Sequence, residues 1–145
     1  MLKKTITYTD FDGVERTEDF NFNLTKAEVL EMELGTSGGY AGFLNRIIME
    51  KDIVEMAKHF KTLILKSYGK KSPDGKRFIK SEEISAEFAQ TEAFSELYVE
   101  LATDDEAAWV FVEGIFPKDL NTIAEKLAAK NAEGATVVPL TSSAT

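Results

Sequence analysis

Three groups of residues in this 145-residue chain have types and spacings that could do chemistry. Glu92, Glu96 and Glu100 recur every four residues, so a helix would align three carboxylates along one face. Such a line could hold a metal or exchange protons if the carboxylates converged in a pocket with a partner group. No His, Cys, Lys or Arg occurs from Phe88 to Pro117 to complete that site, and a solvated acidic face is the commoner arrangement. His59, the single histidine, has Glu55 one helical turn before it, but nothing else converges on the pair. An exposed helical histidine is the simpler reading. Gly35-Thr36-Ser37-Gly38-Gly39 could cradle a phosphate. It lacks the Gly-Lys-Ser/Thr ending of a P-loop and the spacing of G-x-G-x-x-G, so it reads as a link between helices. The absence of cysteine removes disulfides, thiolate catalysis and Cys-ligated metal sites. No catalytic, cofactor-binding or metal-binding residue is therefore assigned. The chain reads as a non-enzyme without cofactors, since a nucleophile–base pair, metal cluster or cofactor loop is missing.

Charge points towards partners. The formal net charge is −8, which argues against a general nucleic-acid binder, whose affinity comes largely from cations neutralising phosphates. The distribution is uneven. Lys66, Lys70, Lys71, Lys76, Arg77 and Lys80 face only Asp74 within residues 66–80, a local balance of 6 − 1 = +5, leaving −8 − 5 = −13 elsewhere. A basic segment on an acidic body suits complementary contact between copies or with another protein; its bland counterpart is a solvated basic turn. Lys70, Lys71, Lys76 and Arg77 are the candidate interaction cations. A nucleic-acid adaptor built on the same segment is the rival reading.

The positioning elements follow from periodicity. Ile6 and Tyr8 alternate with threonines, Asp12-Gly13 signals a turn, and Val14, Arg16, Glu18, Phe20 and Phe22 share one face of a returning strand. Residues 2–9 and 14–23 are expected to form a β-hairpin, which is marginal alone and must pack on helices or pair with another chain. Thr25 and Glu28 form a capping box for a first helix that ends at Gly35. Tyr40, Phe43, Leu44, Ile47 and Ile48 define a second helix. Ile53, Met56, Ala57, Phe60, Leu63 and Ile64 define a third, expected to stop at Gly69 as a C′-glycine cap. Ser72-Pro73-Asp74-Gly75 is a turn, with a very short strand at Phe78–Ile79 after it. Ser81 caps the next helical stretch, whose single apolar stripe is Ile84, Phe88, Phe94, Leu97, Tyr98 and Leu101. Thr103 and Glu106 suggest a second capping box. In the helix that follows, apolar residues cover almost the whole circumference, which predicts burial in a core or at a subunit contact. Trp109, Phe111, Val112 and Phe116 are the candidate interaction residues there. Leu120, Ile123, Ala124 and Leu127 predict one more helix. Residues 131–145 read as a flexible tail.

These elements add up to an α+β protein: an N-terminal β-hairpin followed by a mainly α-helical bundle of about five or six helices. Residues 1–130 form one domain. No stretch approaches the ~20 apolar residues of a membrane helix, and the N-terminus lacks the apolar region of a signal peptide.

The segment from Leu65 to Pro117 also carries specific phrases. These are Lys66-Ser-Tyr-Gly, Ser72-Pro-Asp-Gly and Arg77-Phe-Ile-Lys-Ser-Glu-Glu, then Phe88-Ala-Gln-Thr-Glu-Ala-Phe-Ser-Glu-Leu, Glu100-Leu-Ala-Thr-Asp and Phe111-Val-Glu-Gly-Ile-Phe-Pro. In that order they resemble the tail assembly chaperones of long-tailed, siphovirus-type phages and prophages of Gram-positive bacteria. With the N-terminal hairpin and the Leu34–Gly39 region, the resemblance covers about residues 1–117. It implies a non-enzymatic protein that self-associates. It also implies binding to the tape measure protein, keeping that protein soluble until the tail tube protein polymerises around it. Other implied partners are a longer frameshift product of the same gene and the major tail protein, with no membrane. The implied place of action is the host bacterial cytoplasm during assembly, and the mature virion lacks the protein. Another phage structural protein, such as a tail-completion protein, is the alternative within the same setting.

Overall fold

A computed structural model describes residues 1–118. Strands β1 (Leu2–Thr9) and β2 (Glu15–Phe22) form an antiparallel hairpin in the register Leu2↔Phe22 to Thr9↔Glu15. The turn is wider than the Asp12-Gly13 signal alone indicates. The Asp10 carboxylate accepts backbone N–H bonds from Asp12 and Val14, both 2.9 Å, while Gly13 takes φ +79°. The outward face carries the cross-strand bonds Thr5 to Asp19, 2.6 Å, and Thr7 to Thr17, 3.0 Å. Ile6 and Phe22 on the other face are buried against the helices. The hairpin thus escapes the instability of an isolated ribbon by packing one face.

Helix α1 (Lys26–Leu34) starts at the expected capping box, with Thr25 and Glu28 exchanging bonds. Helices α2 (Tyr40–Glu50) and α3 (Ile53–Ser67) follow the expected amphipathic stripes, with Leu44, Ile47, Ile48, Met56, Phe60, Leu63 and Ile64 buried. Asp52 caps α3 by accepting from the Glu55 N–H. Ile53 departs from its stripe and is exposed. It is the first residue of α3, at the corner with α2.

The end of α3 differs from expectation. Gly69 is not a left-handed cap: Tyr68 turns extended, at φ −67° and ψ 139°, and starts strand β3 (Tyr68–Lys71). β3 pairs with the end of β2 and with the short strand β4 (Phe78–Ile79), giving the sheet order β1-β2-β3-β4. Glycine is needed at 69 for close approach. A Cβ there would lie 2.6 Å from the Phe78 ring and 2.8 Å from the Ile79 carbonyl oxygen.

The stretch after β4 is two helices, α4 (Glu82–Ala89) and α5 (Glu92–Thr103), rather than one continuous stripe. Thr91 makes the break, accepting from the Phe94 N–H at 3.1 Å and donating to the Phe88 carbonyl at 2.7 Å. A threonine that can satisfy both sides competes with helix continuation. Helix α6 (Asp105–Ile115) is capped by Asp104, which accepts from the N–H groups of Glu106 and Ala107. Thr103 is the last residue of α5, and its hydroxyl donates back to Val99. The expected capping box does not form: Asp104, one residue on, caps the helix alone, with Ala107 at the third helical position, while the Thr103 hydroxyl is engaged in its own helix.

The core centres on rings from every layer. Tyr68 stacks on Phe88 at 4.2 Å, and Phe22 meets Phe111 edge-on at 5.3 Å. The architecture is α+β: the N-terminal hairpin, six helices among the described residues, and a four-stranded antiparallel sheet. The helix expected around Leu120, Ile123, Ala124 and Leu127, and the tail at 131–145, lie outside the described residues.

Candidate protein-interaction surfaces

The residues with chemical potential stay apart. His59 is half-buried rather than exposed as expected: it bonds to Glu55 at 3.1 Å, an i,i+4 pair, and meets the Phe43 ring edge-on at 4.8 Å. Glu96 and Glu100 are exposed on α5, and Glu100 pairs with Lys4 at 3.2 Å. Gly35–Gly39 links α1 to α2, as its composition implied. Among the described residues no group of His, Cys, Asp and Glu could hold a metal ion, and no helix is long and apolar enough to cross a membrane.

The basic segment is a built feature. The turn between β3 and β4 is fixed by Ser72, itself buried, whose hydroxyl donates to Asp74 at 2.6 Å and accepts from the Arg77 N–H at 3.0 Å. The Lys76 N–H also donates to Asp74, at 3.0 Å. These bonds, with Ser72 the stronger contributor, hold the Asp74 carboxyl below its ordinary range. Gly75 closes the turn at φ +74°. Lys70, Lys71, Lys76 and Arg77 are all exposed around this hairpin. None pairs with a carboxylate among the described residues. Lys80 behaves differently. Its ammonium bonds the Asn23 carbonyl at 2.7 Å and both Glu28 oxygens at 2.8 Å, anchoring the strand to α1. Burial works against ionised Glu28, but the bonds from Lys80 and Thr25 outweigh it and its carboxyl is held low.

The apolar candidates divide. Phe111, Val112 and Phe116 are buried in the core of the chain itself, whereas Trp109 is 40% exposed. Next to Trp109, Val110 is also exposed and lines a shallow groove with Leu2, Ala107, Asp104 and Lys4. Helix α6 is thus apolar on its outer side as well as its inner one. Sequence reasoning missed two further apolar surfaces. Leu34 is 69% exposed on α1, with Leu30 one turn before it. At the α2–α3 corner, Met49, Ile53 and Val54 project, Val54 at 75% exposure. Lys51 at that corner reaches Asp105 at the start of α6 at 3.8 Å. The available signal was apolar residues lying off, or at the very end of, the buried stripes.

Among the described residues the groups with chemical potential form no assembled cluster, while several apolar and charged surfaces are exposed. Residues 1–142 match the family described as phage tail assembly chaperone. The chain belongs to that family. No curated protein and no solved structure matches it.

Proposed function

We propose that this protein acts without catalysis as a self-associating chaperone of the tape measure protein, holding that long, partly apolar chain soluble until the tail tube protein polymerises around it. The observation that carries the reading is the family match across residues 1–142, joined to exposed Trp109, Val110, Leu34, Met49, Ile53 and Val54. A chaperone must offer apolar surface to its client while staying soluble itself. Patches of large apolar side chains supply the first requirement, and a net charge of −8 supplies the second.

Trp109 is the first candidate client contact, because an exposed indole gives large contact area at small entropic cost. The unpaired cations Lys70, Lys71, Lys76 and Arg77 are the second contact surface. A longer frameshift product of the same gene and the major tail protein are the remaining partners. The protein works in the host bacterial cytoplasm during assembly and leaves before the virion matures.

Co-expression with the tape measure protein of the same phage or prophage tests the reading. A soluble complex that co-purifies after nuclease treatment is expected. A complex that nuclease dissolves would instead favour a nucleic-acid adaptor built on the basic hairpin.

A further inference from the structure

We infer that the basic β3–β4 hairpin of one copy docks on the carboxylate ridge of α5 in a second copy. The inference rests on the self-association proposed above and gives it a surface. Lys66, Lys70, Lys71, Lys76 and Arg77 are exposed on and beside a hairpin that Ser72, Asp74 and Gly75 hold rigid. None of these five cations pairs with a carboxylate among the described residues. A cluster of unpaired cations on a fixed turn is a contact waiting for an anion, since little backbone order has to be created when it docks.

The complementary charge is on the same chain. Residues 81–117 carry ten carboxylates and no Lys, Arg or His. Two of them pair with described cations, Glu100 with Lys4 and Asp105 with Lys51. On α5, Glu92, Glu96 and Glu100 recur at successive turns, and Val99, one turn after Glu96, is exposed on the flank of that line. That apolar flank gives a docked hairpin something to desolvate, which a purely charged ridge would not. Hairpin and ridge belong to different elements and make no ion pair with each other within the chain. Identical copies are therefore complementary without any third component. Because the two surfaces differ, the contact is heterologous, and each added copy uses one of its surfaces and leaves the other open for the next.

The test is sedimentation velocity on nuclease-treated full-length protein at low and high ionic strength. It uses two charge-reversed variants, K70E/K71E/K76E/R77E and E92K/E96K/E100K. The wild type is expected to associate at low salt and to weaken as salt screens the contact. Each variant alone is expected to self-associate at least about a hundredfold more weakly, because like charges then face each other. Mixing the two variants is expected to restore association, since a wild-type hairpin then meets a wild-type ridge. The hairpin positions, Glu96 and Glu100 are exposed and Glu92 is half-buried; far-ultraviolet circular dichroism should match the wild type, and E96K alone replaces the triple variant if that loses structure. Should the fourfold variant lose structure, K76E/R77E at the turn alone replaces it. A monomeric wild type at low salt overturns the inference, as does association that both variants keep or that the mixture does not restore. Client solubility, scored separately, decides whether the chaperone reading falls with it.

Discussion

At the scale of single residues, the sharpest constraints come from groups whose neighbours leave no room or no alternative partner. Gly69 is one. Adding a methyl group would press on the Phe78 ring and the Ile79 backbone, so Gly69→Ala should lower unfolding free energy by about 1–3 kcal/mol. Chemical denaturation reads this directly, and an unchanged midpoint would mean the β3–β4 approach is looser than described. Glu28 is another. Its carboxyl is held below the ordinary value of 4.5 by Lys80 and Thr25 despite burial. A lowered carboxyl contributes stability above its unfolded pKa and loses it as pH falls through the folded value. Glu28→Gln should therefore cost about 1–2 kcal/mol near neutral pH. The difference from wild type should shrink as pH drops below about 4.5. A penalty independent of pH would assign the loss to packing instead. Phe111 and Trp109, only two residues apart, should respond to very different degrees. Phe111→Ala removes a buried ring and should cost about 3–5 kcal/mol, whereas Trp109→Glu, at a position 40% exposed, should cost clearly less.

At the scale of elements, the boundaries are set by capping chemistry. Asp104 satisfies two N–H groups of α6, while Thr103 donates within α5. Asp104→Ala should cost about 1 kcal/mol, and Thr103→Ala clearly less. Equal effects in thermal melts would restore Thr103 as the cap. The hairpin, the first three helices, the Ser72–Gly75 turn and the β4 strand were legible in the sequence because their periodicity and turn chemistry are local. Strand β3 was not. Tyr68–Lys71 is four residues long with no alternation, and it becomes a strand only because β2 offers an edge beside it. The α4–α5 break was hidden for a related reason. Phe88 and Phe94 fit one stripe, and only Thr91 bonding both ways decides that the helix stops.

At the scale of the whole molecule, surface use was the least legible property. The composition of α6 correctly places apolar residues on all sides. Sequence alone cannot say that Phe111, Val112 and Phe116 fill this chain's own core while Trp109 and Val110 stay outside. That partition depends on where the β1–β2 hairpin and Phe22 come to rest. The basic hairpin was legible because charge clusters need no fold to be counted. Its rigidity was not, since it rests on the buried Ser72 hydroxyl. The combination of exposed apolar residues on α1, α6 and the α2–α3 corner with an acidic body is what a chaperone of an apolar client requires. The most direct test is light scattering from tape measure protein diluted out of denaturant into increasing concentrations of this protein. Scattering should fall in proportion to added protein and saturate at a fixed ratio, with Trp109→Glu requiring severalfold more protein for the same suppression. Undiminished aggregation at a large excess of folded wild-type protein would contradict a chaperone that acts on this client.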